Sequence, residues 1–217
     1  MNTKHLLRWA ALAVGALALF AVACTSDDSD GTLQTVLDRG ELKCGVKDSQ
    51  PGFGNLEEDG TYTGLDIEFC KAVAAAVLGD SSKVEYVPAS AADRFELLAS
   101  GEIDVLIRTT TRTFGRDVDL DGQFAVTTFY DGQGMMVKVD SGITSLEDMD
   151  GATVCVTTGT TTSGNLDDAF AARGIAYTPQ AVADDAGSLE NFLADRCDGW
   201  TGDKSNLAGQ RSAYPAE

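Results

Sequence analysis

Histidine is almost missing from this chain: its 217 residues hold one, His5. That residue lies in an N-terminal stretch marked for removal, so the mature chain offers no imidazole for a Ser-His-Asp triad, a Cys-His pair or a His-bound zinc. No two cysteines stand at CxxC spacing, which leaves a thiol metal or redox site without support. No Gly-x-x-x-x-Gly-Lys-[Ser/Thr] loop occurs, so any nucleotide hydrolysis must come from another subunit. Basic residues are scarce: 16 Lys and Arg face 34 Asp and Glu, for a net charge of −18. Such acidity argues against nucleic acid and against anionic lipid surfaces as partners. There is no short-period repeat. No metal and no cofactor is expected.

Long apolar runs are also lacking. Trp9 to Ala23 is uncharged and apolar, but its 15 residues fall short of the ~20 a spanning helix needs. With Lys4 and Arg8 before it and Ala21-Val22-Ala23 at its end, it reads as a secretory signal over residues 1–23. Cys24 follows at once and resembles the lipidated cysteine of bacterial lipoproteins, although Ala21 stands where leucine is usual. Ordinary cleavage and lipoprotein processing both cut before Cys24 and differ only in the lipid; lipidation is expected. Residues 24–31 then form a polar tether holding the domain off the membrane. Loss of Lys4 and Arg8 moves the net charge from −18 to −20. The expected location is the periplasm or the outer face of the cytoplasmic membrane.

Without Cys24, four cysteines remain, an even number suited to an oxidising compartment. Three pairings are possible. Cys44–Cys70 with Cys155–Cys197 is preferred, because each bridge then stays within one half of the chain. Loop closure would contribute roughly 3–4 kcal/mol per bridge. Four buried free thiols are the alternative.

Periodicity divides the rest. Thr32 to Arg39 reads as a helix stopped by Gly40, followed by a strand at Glu41 to Val46. Asp66 is expected to cap a helix with Ile67, Phe69, Val73, Ala74, Val77 and Leu78 on its buried stripe, ended by Gly79. A strand at Val84 to Val87, a helix at Asp93 to Ser100 ended by Gly101, and a strand at Asp104 to Ile107 complete a β-α-β-α-β series. That order signals a parallel sheet with helical crossovers. Phe124 to Tyr130 and Met135 to Val137 are strand-like, joined by Asp131-Gly132-Gln133-Gly134 as a hairpin or as a crossing between lobes. The crossing is preferred because an α/β series restarts: a helix at Leu146 to Met149, a strand at Thr153 to Val156, and a helix opening at Gly159 and running past Phe170. A strand near Ile175 to Val182, a helix at Ser188 to Asp195 and a strand at Gly199 to Thr201 follow.

Residues 101–117 carry most of the chemistry. The short strand Val105 to Ile107 runs straight into Arg108, Thr109, Thr110, Thr111 and Arg116, at the strand edge where open α/β sheets bind ligands. A guanidinium fork matches a carboxylate, and threonine hydroxyls donate and accept. A second cluster, Thr158 to Thr162, puts hydroxyls and free amides at a helix start, a natural anion site. Asp203, at a third strand end, is placed to hold an ammonium. Together these describe a receptor for an α-amino acid. Each has a plainer alternative: Arg116 paired with Asp117 or Asp119, Thr160 to Thr162 capping one helix, and Asp203 capping the next.

These segments resemble the polar amino acid-binding proteins of bacterial ABC importers, most closely the general L-amino acid-binding type, over about residues 32–210. The resemblance is carried by Leu42-Lys43-Cys44-Gly45-Val46, Pro51-Gly52-Phe53, Gly64-Leu65-Asp66-Ile67-Glu68-Phe69-Cys70, Gly101-Glu102-Ile103-Asp104-Val105, Tyr130-Asp131-Gly132-Gln133-Gly134, Gly151-Ala152-Thr153-Val154-Cys155-Val156 and Arg196-Cys197-Asp198. It implies an α/β fold of the two-lobed, type II periplasmic-binding-protein kind. Lobe 1 would span 32–131 and lobe 2 132–217, with a hinge near 130–138. It also implies roles: Arg116 and the amides of Thr111 and Thr161 on the α-carboxylate; Asp203, the Thr109 carbonyl and the Thr111 hydroxyl on the ammonium; Gln50 and Phe53 on the ligand side chain or cleft wall. Permease subunits of the importer would be partners, and the receptor a monomer. The family's chain returns from the second lobe to the first; here the second lobe and that return are incomplete, so a fragment of a longer chain is expected.

Two other functions compete. An enzyme resembling the periplasmic cyclohexadienyl or arogenate dehydratases would use the same arginine clamp with a general acid, for which Glu57 and Glu58 are the nearby carboxylates. A ligand-sensing domain of a signalling receptor is the third. The preferred side chain stays open: Arg108 or Arg112 would favour an acidic one, and the resemblance favours breadth.

Overall fold

The computed structural model describes residues 31–120 and 122–214. The signal, Cys24 and nearly all of the tether therefore lie outside the described residues.

Two α/β halves follow one another. In the first, α1 (Thr32–Arg39) leads into β1 (Leu42–Val46). A small antiparallel meander of β2 (Ser49–Gln50), β3 (Gly54–Leu56) and β4 (Tyr62–Thr63) comes next. Then come α2 (Leu65–Leu78), β5 (Val84–Pro88), α3 (Arg94–Ala99), β6 (Val105–Leu106) and the short α4 (Phe114–Asp119). The main sheet has order β5-β1-β6 and is wholly parallel, as the β-α-β-α-β series requires. Helix α2 buries Ile67 and Cys70 against Cys44 and Val46, and Ala74 of the same helical face against Val36 and Leu42. Gly40 and Gly79 end α1 and α2 in the left-handed region, at φ 71° and 75°.

The second half holds β7 (Gln133–Val137), a 3₁₀ turn (Glu147–Met149), β8 (Thr153–Thr157), α5 (Thr162–Ala171), β9 (Thr178–Val182), α6 (Asp185–Leu193), β10 (Gly199–Asp203) and α7 (Lys204–Ala213). Its sheet order is β7-β10-β8-β9, with β7 antiparallel to β10 and the other pairs parallel. Met149, Val154, Val156, Leu166 and Phe170 form one core cluster; Cys155, Phe192, Cys197, Trp200 and Leu207 form another. Strand β8 is buried along Val154 to Thr157, which is why it reads as a continuous apolar run. The cysteines pair as Cys44–Cys70 and Cys155–Cys197, with Cα–Cα distances of 6.1 and 5.7 Å.

Three expectations need correction. Phe124 to Tyr130 forms no strand: it runs outside every sheet, with Val126 and Tyr130 exposed, while β7 pairs with β10 rather than folding back in a hairpin. Asp66 does not cap α2; the N-cap is Gly64, and the Asp66 carboxylate accepts the Thr109 amide at 3.0 Å. Helix α6 begins at Asp185, three residues early, because Asp184 caps it by accepting the Gly187 amide at 2.7 Å.

Candidate functional site

The parallel strands of both sheets turn their C-terminal ends toward a shared cleft of about 450 Å³, within the ~300–1,000 Å³ range usual for small-molecule sites. The first half contributes Lys47 after β1, Ala89 and Ser90 after β5, Arg94 on α3, and Arg108, Thr109, Thr111 and Arg116 after β6. The second contributes Thr157 at the end of β8 and Thr160 to Thr162 after it, Asp185 at the start of α6, and Asp203 at the end of β10. Five expected residues, Arg116, Thr109, Thr111, Thr161 and Asp203, thus meet in one cavity.

Arg116 is half-buried and pairs with neither Asp117 nor Asp119; the Asp117 carboxylate goes to Arg112 at 2.7 Å. Its guanidinium donates to the Thr111 carbonyl at 2.8 Å and the Gly159 carbonyl at 3.4 Å, and lies 5.3 Å from the Phe95 ring centre. These contacts hold the fork at the cleft without a carboxylate in it. Thr113 caps α4 by accepting the Arg116 amide, which fixes where the side chain starts. Thr109 is held from behind by Asp66.

Asp203 occupies the N-cap position of α7, yet its side chain makes no capping bond. Asp131 does that work instead, accepting the Ser205 amide at 3.2 Å. Among the described residues nothing donates a hydrogen bond to the Asp203 carboxylate. Burial, then the charge of Asp131, push its pKa up, against the opposing pull of Lys47 and Arg108. The result is an uncommitted acid facing a cleft, the chemistry an ammonium group seeks. Thr161 sits at the N-cap of α5 with no side-chain cap, while the Thr160 hydroxyl bonds the Thr157 carbonyl and the Thr162 hydroxyl, each at 2.7 Å. Thr161 and Thr162, which open α5, thus line the cleft together with Arg116, with the Thr162 amide reaching the Thr160 hydroxyl at 3.4 Å.

Gln50 is placed differently from expectation. Gln50 is fully buried and does not line the cleft; its Oε1 accepts the Lys47 ammonium at 2.9 Å and its Nε2 reaches Ser205 Oγ at 3.4 Å. It positions Lys47 rather than forming the wall. Phe53 packs edge-on against Phe129 at 4.9 Å and lines a wider apolar groove that shares Thr109, Thr111, Arg116, Thr161 and Asp203 with the cleft.

Residues that sequence reasoning passed over form the bridge between the halves. Lys47 makes an ion pair with Asp185, which also accepts Thr157 Oγ1 at 2.8 Å and Asn206 Nδ2 at 2.9 Å. Burial pushes the Asp185 carboxyl up, but Lys47 and these donors more than cancel it and hold it below the usual range. Arg94, 2% exposed, donates to the Gly159 carbonyl at 3.1 Å across the cleft. Burial, with Arg108 and Arg116 adding, pulls its pKa down to about 9. Gln210 donates to the Ser49 carbonyl at 2.9 Å. The signal for Lys47 was its place immediately after β1, the edge position that Arg108 holds after β6. Glu57, a possible general acid, is fully exposed, and its bonds from Thr63 and Asn55 hold its carboxyl below the usual range. Neither Glu57 nor Glu58 lines the cleft.

Residues 42–202 match the family model of bacterial extracellular solute-binding proteins, family 3. The chain is 48% identical over 201 residues to the glutamate/glutamine/aspartate/asparagine-binding protein BztA of Rhodobacter capsulatus, covering 93% of this chain and 59% of the relative. To the general L-amino acid-binding periplasmic protein AapJ of Rhizobium johnstonii it is 41% identical, covering 96% and 60%. A periplasmic binding protein of an ABC transporter from Brucella ovis, solved with glutathione bound, superposes with a TM-score of 0.81 at 41% identity, over 84% of this chain and 58% of that one. The chain thus spans about 60% of the length of the curated relatives it matches.

Proposed function

Because this chain belongs to the bacterial extracellular solute-binding proteins, family 3, we propose that it is the ligand-holding part of an amino acid receptor serving an ABC importer. The observation that carries this is the pairing of an uncommitted acid with an arginine fork in one cleft: Asp203 from the second half, Arg116 from the first. The α-carboxylate lies on Arg116 and the amides opening α5, and the ammonium lies on Asp203 with Thr109 and Thr111. Because the two charges of the ligand are held by different halves, its contacts favour the closed arrangement over any open one. The lobes divide at 32–131 and 132–217, with the hinge near 130–138. The closed receptor then docks on permease subunits, as a monomer tied to the membrane outside the cell through lipid on Cys24. Binding without chemistry is the better reading than a dehydratase, since Glu57 is held ionised at the surface away from the cleft.

Calorimetric titration of L-amino acids into the wild type and Arg116→Ala tests this. The expected result is saturable binding that Arg116→Ala abolishes, with every ligand recovered unchanged. Turnover of a bound acid would favour the enzyme. Silence from a folded protein would remove the carboxylate clamp.

A further inference from the structure

Arg108 is 8% exposed and lines the cleft, yet its guanidinium donates to no described residue, and its Nε is buried without a partner. A guanidinium has five N–H donors, and leaving them unmet in a low-dielectric site is costly. Each neighbouring cation holds at least one partner, although Arg94 Nε, like Arg108 Nε, is buried without one. Arg116 is on Thr111 and Gly159, Arg94 is on Gly159, and Lys47 is on Asp185 and Gln50.

The neighbouring acids are also spoken for. Asp185 takes three donors, Asp66 holds the Thr109 amide, Asp184 caps α6, and Asp48 and Asp93 are exposed to solvent. Asp203, whose charge Arg108 feels, is left for the ammonium. The β1–β6 register, Gly45 beside Leu106, continues to set Arg108 beside Lys47 at the sheet edge, so two cations stand together where the first half meets the cleft.

We infer that Arg108 receives a second carboxylate on the ligand, so that this cleft selects dicarboxylic amino acids of the glutamate or aspartate kind over their amides. The inference rests on the amino acid reading above and narrows it. Arg116 and Asp203 account for the two charges every amino acid carries, and neither needs Arg108. A carboxylate offers its fork two charged acceptors, whereas a side-chain amide offers one neutral oxygen.

The test is calorimetry with L-glutamate, L-aspartate, L-glutamine, L-asparagine and L-alanine on the wild type, Arg108→Gln and Arg108→Lys. The wild type should bind one of the acids more tightly than its amide, on the order of 10–100-fold, the scale of a charge-assisted hydrogen bond. Arg108→Gln should erase that preference while moving the amides less than about 3-fold, and Arg108→Lys should keep part of it. Equal wild-type affinity for acid and amide, or an Arg108→Gln loss shared by all five ligands, would overturn the assignment while leaving the receptor intact. Failure of a folded wild type to bind any of the five would sink the receptor reading and the assignment with it. The wild-type ratio needs no variant and decides the matter should Arg108→Gln fail to fold.

Discussion

Asp203 and Asp185 stand some 18 positions apart in the chain and face one cleft, but their surroundings drive their carboxyls in opposite directions. Asp203 is raised by burial and by Asp131. An ammonium ligand needs it ionised, so affinity should fall as pH drops through this raised pKa, earlier than an ordinary aspartate near 3.9 would allow. A titration series from pH 7 to pH 4 should show that loss, and Asp203→Asn should bind weakly with a flat profile. An unchanged profile in Asp203→Asn would assign the ammonium elsewhere. Asp185 is depressed, so its contribution to stability is complete above the unfolded value near 3.9 and is lost as pH falls through the lower folded value. Removing it strands a buried lysine: Asp185→Ala should cost roughly 3–5 kcal/mol in denaturant unfolding. A cost under about 1 kcal/mol would show that Lys47 finds water instead. Arg116, Asp203 and the threonines were legible in the sequence because each follows a recognisable strand end. Lys47, Arg94 and Asp185 were not, because their meaning comes from partners in distant parts of the chain, 138 positions away for Lys47 and Asp185.

At the scale of elements, the turn after β8 comes close to the first half. Gly159 has φ +76°, and a Cβ there would stand 2.8 Å from the Ala91 carbonyl oxygen of the first half. Its own carbonyl receives Arg94 and Arg116. Gly159→Ala should therefore weaken ligand binding at least tenfold, through strain and through the push on Ala91. Gly174→Ala, at φ +70° with nothing within 4 Å, should carry the strain alone and leave affinity within about 3-fold. Equal effects of the two would mean that the close approach is not used in binding. Helices and parallel strands were readable from period and glycine stops, and their ends fell within a few residues of expectation. Phe124 to Tyr130 misled because its composition suits a strand, while a strand exists only where a neighbour offers its backbone. The β2–β4 meander escaped for the converse reason: strands of two or three residues are too short to show alternation.

For the molecule as a whole, the parallel strands of two sheets meet at their ends, and every named ligand contact comes from those ends or from the segments that follow them. The ion pair of Lys47 with Asp185 and the bond from Gln210 to Ser49 already join the halves around the cleft. The α/β class and the division into two halves followed from the repeated strand–helix order; the way the halves touch did not, since it depends on side chains far apart in sequence. The most direct test is a crystal structure of the protein grown with L-glutamate. The account predicts density in the 450 Å³ cleft, with the α-carboxylate on Arg116, the ammonium on Asp203 and the second carboxylate on Arg108. A bound ligand that leaves both Arg116 and Asp203 untouched would contradict it.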